Sequence, residues 1–144
     1  MATRLSLTQS TRIIDAALAK GTELNTTPLT IAILDDGGHL KAFQRQDSAS
    51  LMRPDIAIAK AWGAIGMGMS SRTLGTVAAE RPAFVSALTT MAHGNLVPVP
   101  GGVLIRNQDN EIIGAVGITG DTSDVDETCA IAGIQGADLI ADAG

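Results

Sequence analysis

Residues 29–46 read Leu-Thr-Ile-Ala-Ile-Leu-Asp-Asp-Gly-Gly-His-Leu-Lys-Ala-Phe-Gln-Arg-Gln. Leu29, Ile31 and Ile33 alternate with Thr30, Ala32 and Leu34, which is the two-residue period of an extended strand. The run ends in Asp35-Asp36-Gly37-Gly38, where Asp-Gly supplies the positive φ angles of a tight hairpin turn. The chain then returns from His39 to Gln46, with Leu40, Ala42 and Gln44 opposite Lys41, Phe43 and Arg45. This stretch is expected to form a β-hairpin.

On the N-terminal side, Ser6-Leu7-Thr8-Gln9 fits a capping box that opens a helix. Ile13, Ile14, Ala17, Leu18 and Leu24 continue it as one apolar stripe, with Gly21 expected as its left-handed cap. On the C-terminal side, Pro54 suits the first turn of a second helix, through Ile56, Ala59, Lys60, Trp62 and Gly63, that Gly66 and Gly68 end. Ser70 or Ser71 can cap a third segment. Pro82 starts another, with Phe84, Leu88 and Met91 on one side and Gly94 closing it. A second β region is expected from Leu96, broken by Pro98 and Pro100-Gly101-Gly102. Within it Val103–Arg106 turns through Asn107–Asn110 into Glu111–Ile118. Thr119–Ser123 then leads into a helix expected from about Asp124 to Ala141. The order α, ββ, α-block, ββ, α points to the α+β class: an antiparallel β-sheet made of two hairpins, flanked by helices. No composition break or repeat divides the chain, so residues 1–144 read as a single domain.

The bulk numbers agree. A chain of 144 residues buries roughly two-thirds of its unfolded surface, so it needs no disulfide. Its one cysteine, Cys129, can form no internal bridge and fits a reducing, cytoplasmic setting. Met1-Ala2-Thr3-Arg4-Leu5-Ser6 is too polar for a secretion leader, and no run approaches the ~20 apolar residues of a membrane span. Ten Lys+Arg against 15 Asp+Glu give a net charge of −5, with no tyrosine and dispersed basic residues, which argues against nucleic acid as a partner. The chain is 45% hydrophobic but only 17% charged, so part of its apolar surface is expected to be covered in a homo-oligomer; a tightly packed monomer is the alternative. Met52, Met67, Met69 and Met91 read as fillers of core or interface gaps.

Four segments together resemble the GlcG/HbpS-like proteins, described as haem-degrading or haem-binding, which include the C-terminal domain of PduO cobalamin adenosyltransferases. They are Leu34–Leu40 with Phe43-Gln44-Arg45 and Asp47, the helix Asp55–Ala61, Val99–Ile105, and Gly114–Gly120 running on to Asp126-Glu127 and Ala132-Gly133. The resemblance covers almost the whole chain. It implies an antiparallel sheet flanked by helices, oligomers, and a pocket for a small-molecule ligand, with haem or a related tetrapyrrole as the first candidate.

Several residues could serve such a pocket. His39 and His93 are the only histidines, and an imidazole is the commonest axial ligand of haem iron. The plainer reading of His39 is a surface turn residue, and that of His93 a helix C-terminal charge. Pro100, Gly101 and Gly102 permit close approach of a ligand or turn a corner between strands. Thr119 and Gly120 lead to a helix N-terminus whose free N–H groups can hold an anion, or which Asp121, Asp124, Asp126 and Glu127 simply cap. Arg45 and Arg53 can take a carboxylate bidentately, either a haem propionate or an organic acid. Lys60 either snorkels from its apolar helix or is an internal charge held by a partner, and the resemblance favours the second. Asp121 and Glu127 are the candidate proton-transfer groups. One cysteine and two distant histidines make no zinc site, so no metal is expected beyond haem iron. Neither a Walker loop, a dinucleotide fingerprint nor a nucleophile elbow appears, and Cys129 reads as inert core. Three readings remain open: a haem-binding protein, an isomerase, lyase or hydrolase acting on a small organic acid, and a non-catalytic oligomeric accessory protein.

Overall fold

In a computed structural model, which describes residues 4–144, the opening stretch forms the hairpin of β1 (Thr30–Asp35) and β2 (Leu40–Arg45). The turn differs in one detail. Its single positive φ is at Gly38 (78°), where the Gly38 N–H donates to the Asp35 carbonyl at 3.0 Å. Met1–Thr3, part of the stretch read for a leader, lie outside the described residues.

Helix α1 (Leu7–Leu24) opens on the expected capping box, with the Ser6 hydroxyl and Gln9 side chain satisfying each other's backbone N–H groups. It runs past Gly21, which is buried against Leu29, and ends at left-handed Asn25. Helix α2 (Arg53–Met67) carries Pro54 in its first turn and ends at left-handed Gly68. Ser70 caps α3 (Ser71–Glu80), and α4 (Pro82–Met91) follows. Residues 96–101 are not strand, because Pro98 and Pro100 offer no N–H to a ladder. The second hairpin is β3 (Gly102–Arg106) and β4 (Ile112–Thr119). The last helix, α5 (Ser123–Gly136), stops earlier than expected, and its tail crosses back as a short strand, β5 (Ile140–Asp142).

The strands form one antiparallel sheet in the order β2-β1-β4-β3-β5. One face packs Ile31, Ile33, Val103, Val116 and Ile118 against Ile13 and Ile14 of α1 and Cys129 and Ile134 of α5. The other packs Leu34, Leu104 and Ala115 against Ala61 and Ala64 of α2. Beyond α2, Leu74, Val85, Ala92 and Leu96 make a smaller core with α3 and α4. The small residues of α2 have a purpose: its backbone lies almost on the sheet. A Cβ at Gly117 would stand 1.9 Å from the Ala57 carbonyl oxygen, and one at Gly102 2.3 Å from that of Lys60.

Candidate functional site

The antiparallel order brings the start of β1, the ends of β2 and β4 and the start of β3 to the same end of the sheet, beside the N-termini of α2 and α5. Thr30 is paired across the ladders with Arg45 on one side and Thr119 on the other. Residues directly opposite share a face, so these three side chains project toward the α2 side. Arg53, the first residue of α2, donates from Nη1 to the Thr119 hydroxyl at 2.8 Å and from Nε to the Ser50 hydroxyl at 3.3 Å. Next to them, Thr30 Oγ1 is the one buried side-chain polar atom among the described residues with no hydrogen-bond partner. Arg45 also lines an open concavity of about 470 Å³ with Thr26, Pro28, Gln46 and Asp47.

Lys60 lies deeper at this end. Its side chain is 2% exposed, and its amine donates to the Ile118 carbonyl at 2.9 Å and to Asp126 Oδ2 at 3.3 Å. Burial pushes the amine below its ordinary pKa against the pull of Asp126, and Arg53 adds to the lowering. Burial likewise holds Asp126 above the usual carboxylate range, although the Asp121 N–H and Lys60 draw it down. Gly101 and Gly102 are buried against this lysine: a Cβ at Gly101, where φ is 124°, would stand 2.8 Å from Lys60 Nζ. The Pro100-Gly101-Gly102 loop thus lets α2 and its lysine approach the sheet.

The two carboxylates expected to move protons face different partners. Asp121 accepts from the Thr27 N–H at 3.0 Å and the Thr122 N–H at 2.8 Å, which hold its pKa low and tie the lead-ins of β1 and α5 together. Glu127 takes Arg72 Nε with both oxygens, at 3.1 and 3.0 Å, and Asp124 takes the same guanidinium through Nη2. Cys129 is buried, and burial, with Asp126 and Asp121, pushes its thiol up to about 11.

The histidines lie elsewhere. His39 sits in the β1–β2 turn at the opposite end of the sheet, 81% exposed, with Nδ1 3.2 Å from Asp35 Oδ1. Although burial opposes it, N–H donors from His39 and Gly37 and the imidazole hold Asp35 below its ordinary pKa. An ionised carboxylate only accepts, so Nδ1 is the donor in this contact, and Nε2 makes no hydrogen bond among the described residues. The indole of Trp62 lies against this turn, with Nε1 3.1 Å from where a Cβ of Gly38 would be, and Leu40 beyond it is exposed. His93 follows α4 in a left-handed conformation, exposed, with no side-chain hydrogen bond among the described residues. The apolar hollow near it, between Trp62, Met67, Leu88, Met91 and Leu96, measures about 100 Å³, below the several hundred of a typical ligand pocket.

Of the residues expected from the sequence, Arg45, Arg53, Lys60, Pro100, Gly101, Gly102, Thr119, Gly120 and Asp121 therefore gather at one sheet end. Glu127 lies one turn into α5, and the histidines stand apart. Sequence reading passed over Thr30, which looked like one more alternating strand residue, and Arg72, whose carboxylate partners are some fifty positions away.

A family model described as haem-degrading protein HbpS-like matches residues 5–135. Protein GlcG of Escherichia coli K12 is 35% identical over 125 residues, covering 83% of this chain and 85% of GlcG. Corrinoid adenosyltransferase PduO of Citrobacter freundii is 28% identical over 122 residues, and the matched stretch spans 85% of this chain but 36% of PduO. The crystal structure of a PduOC–haem complex superposes with a TM-score of 0.85 at 25% identity, covering 95% of this chain and 97% of that one. Among the described residues no helix is long and apolar enough to cross a membrane.

Proposed function

We propose, from the premise that this chain belongs to the HbpS-like family, that it binds haem with His39 as the axial ligand. The observation that carries the reading is the Asp35–His39 pair. An imidazole whose Nδ1 is held by a carboxylate, with Nε2 engaged by no hydrogen bond among the described residues, has the second-group support that metal-ligating histidines usually receive. Trp62 and Leu40 add apolar surface beside it, which suits a porphyrin. His93 lacks such an orienting partner among the described residues. The haem complex of PduOC supports the choice of ligand for this chain as well. When bound, haem supplies an iron centre whose potential and reactivity depend on the axial imidazole and its hydrogen bond.

The test is a haemin titration of the apo-protein followed at the Soret band. Saturable one-to-one binding is expected, weakened at least about tenfold in His39→Ala and in Asp35→Asn, and unchanged in His93→Ala. Equal weak binding by all four proteins would overturn the assignment.

The same reading takes Leu51 (87% exposed), Met52 (67%) and Met91 (71%) as surface covered by further copies of the chain. Sedimentation at micromolar concentration is expected to give a multiple of 14.7 kDa. A monomer at all concentrations would refute it.

A further inference from the structure

The sheet end that holds the arginines is far from His39 and has a chemistry of its own. We propose that Arg53, Arg45, Thr30 and Thr119 form a binding site for a small monocarboxylate, independent of the haem reading. The first observation is the orphan hydroxyl. Thr30 is fully buried, projects from the same face as Arg45 and Thr119, and has no partner for its Oγ1. A buried hydroxyl left unmade is unfavourable, and native chains keep one where something else completes it.

The second observation is the charge around it. Arg53 is half-buried yet touches only neutral oxygens, those of Ser50 and Thr119, and its Nη2 makes no hydrogen bond among the described residues. Neither Arg45 nor Arg53 has a carboxylate partner among the described residues, in a chain that carries 15 Asp and Glu against 10 Lys and Arg. Two carboxylates at this end are engaged, Asp126 by Lys60 and the Asp121 N–H and Asp121 by Thr27 and Thr122, and the third, Asp47, is exposed and makes no ion pair with Arg45 or Arg53. Lys60 feels the positive charge of Arg53, which no carboxylate neutralises by direct contact among the described residues.

A carboxylate supplies what both groups lack. One oxygen accepts from the Arg53 guanidinium and the other from the Thr30 hydroxyl, a charge-assisted arrangement that two hydroxyls and a fork of N–H donors suit. The Thr30 hydroxyl is closed to solvent in the free chain, so binding includes a local opening that uncovers it. Arg45, the ladder partner of Thr30, also lines the concavity of about 470 Å³, which offers room for the rest of the ligand. Asp47 lines that concavity, so a second negative charge on the ligand is repelled. This selects a monocarboxylate over phosphate or a dicarboxylate.

The experiment titrates the apo-protein with sodium acetate and sodium propanoate, with sodium chloride and phosphate at equal ionic strength, reading backbone amide shifts and Tm. The expected result is saturable movement of the Thr30, Arg45 and Thr119 amides and a rise in Tm with the carboxylates alone. In Arg53→Gln the affinity drops at least about tenfold. Thr30→Val is the sharper variant. It removes the orphan without changing shape, so it raises the Tm of the free protein while weakening carboxylate binding. Saturable binding that Thr30→Val leaves intact would mean the hydroxyl holds only a buried water, and would overturn the site. So would equal responses to chloride and phosphate, or no saturable response to either carboxylate. None of these outcomes bears on haem binding at His39.

Discussion

Lys60→Met is expected to lower the stability of the fold by about 3–5 kcal/mol, a large share of the total for a domain of this size. The substitution keeps the length of the side chain and most of its packing, so the loss comes from charge. Asp126, 1% exposed, is left in the interior with the Asp121 N–H as its remaining hydrogen-bond partner, and the Ile118 carbonyl loses its donor. The pair itself is not a large source of stability. Burial raises the folded pKa of Asp126, so its favourable contribution is present below about 3.8 and is lost as pH rises through the folded value. Burial lowers that of Lys60, so its contribution is present above about 10.5 and is lost as pH falls through the folded value. At neutral pH each offsets the penalty of the other. Lys60→Met/Asp126→Asn is therefore expected to recover at least half of the single-variant loss, since asparagine still accepts from the Asp121 N–H. Lys60→Met alone should be least destabilised in acid, where Asp126 can protonate. Urea unfolding at pH 4.5 and 7.5 measures both effects. A double variant as unstable as the sum of the singles, or a Lys60→Met penalty independent of pH, would show that the two groups do not act as a pair.

Gly117→Ala is expected to be the other severe change, costing about 3 kcal/mol or more or preventing folding altogether. The added methyl would lie 1.9 Å from the Ala57 carbonyl oxygen, 2.9 Å from its carbon and 3.1 Å from the Ala61 Cβ. Two of these three atoms are helix backbone, which cannot step aside as a side-chain tip can. The helix must lift, opening the seam where Leu34, Leu104 and Ala115 meet Ala61 and Ala64. Gly117 has no unusual φ, so backbone strain does not enter and the effect isolates packing. Gly66→Ala is the contrast. It is helical and exposed, and its new Cβ would meet only the Trp62 ring, at 3.8 Å. It should gain up to about 1 kcal/mol from helix propensity. Thermal unfolding of the two variants side by side decides the matter; equal stabilities would mean that α2 is not seated on the sheet backbone.

The hairpin was legible because two signals coincide in Leu29–Gln46: alternation of period two and a turn that glycine permits. The capping box at Ser6 and the break at Gly68 are similarly local, and both appear in the structure. Where reading failed, the deciding partner was distant or the segment too short to show a period. Ile140-Ala141-Asp142 continues the Ala- and Ile-rich pattern of α5, and only the unpaired edge of β3 turns it into a strand. Val97 and Val99 alternate like a strand, but the prolines between and after them remove the ladder donors. The state of Lys60 depends on Asp126, 66 positions away, and no spacing rule connects them. The arginines, glycines and Thr119 were singled out for their chemistry, whereas Thr30 acquires its interest only from what its neighbours leave undone.

The strand order also sets a sequence of events in time. The hairpins β1–β2 and β3–β4 join neighbours along the chain, and such units form in about 1–10 μs. The seam between them, β1 against β4, couples Thr30 to Thr119 and Leu34 to Ala115 across about eighty to ninety residues of chain. Contacts of that span are the slow ones in folding, because the ordering cost of the intervening loop precedes any reward. Thr30, Thr119, Gly117 and the Lys60 amine on the Ile118 carbonyl all lie on or beside that seam. The end of the sheet that holds the arginines is thus completed by contacts of long span, and no fragment holding a single hairpin can contain it.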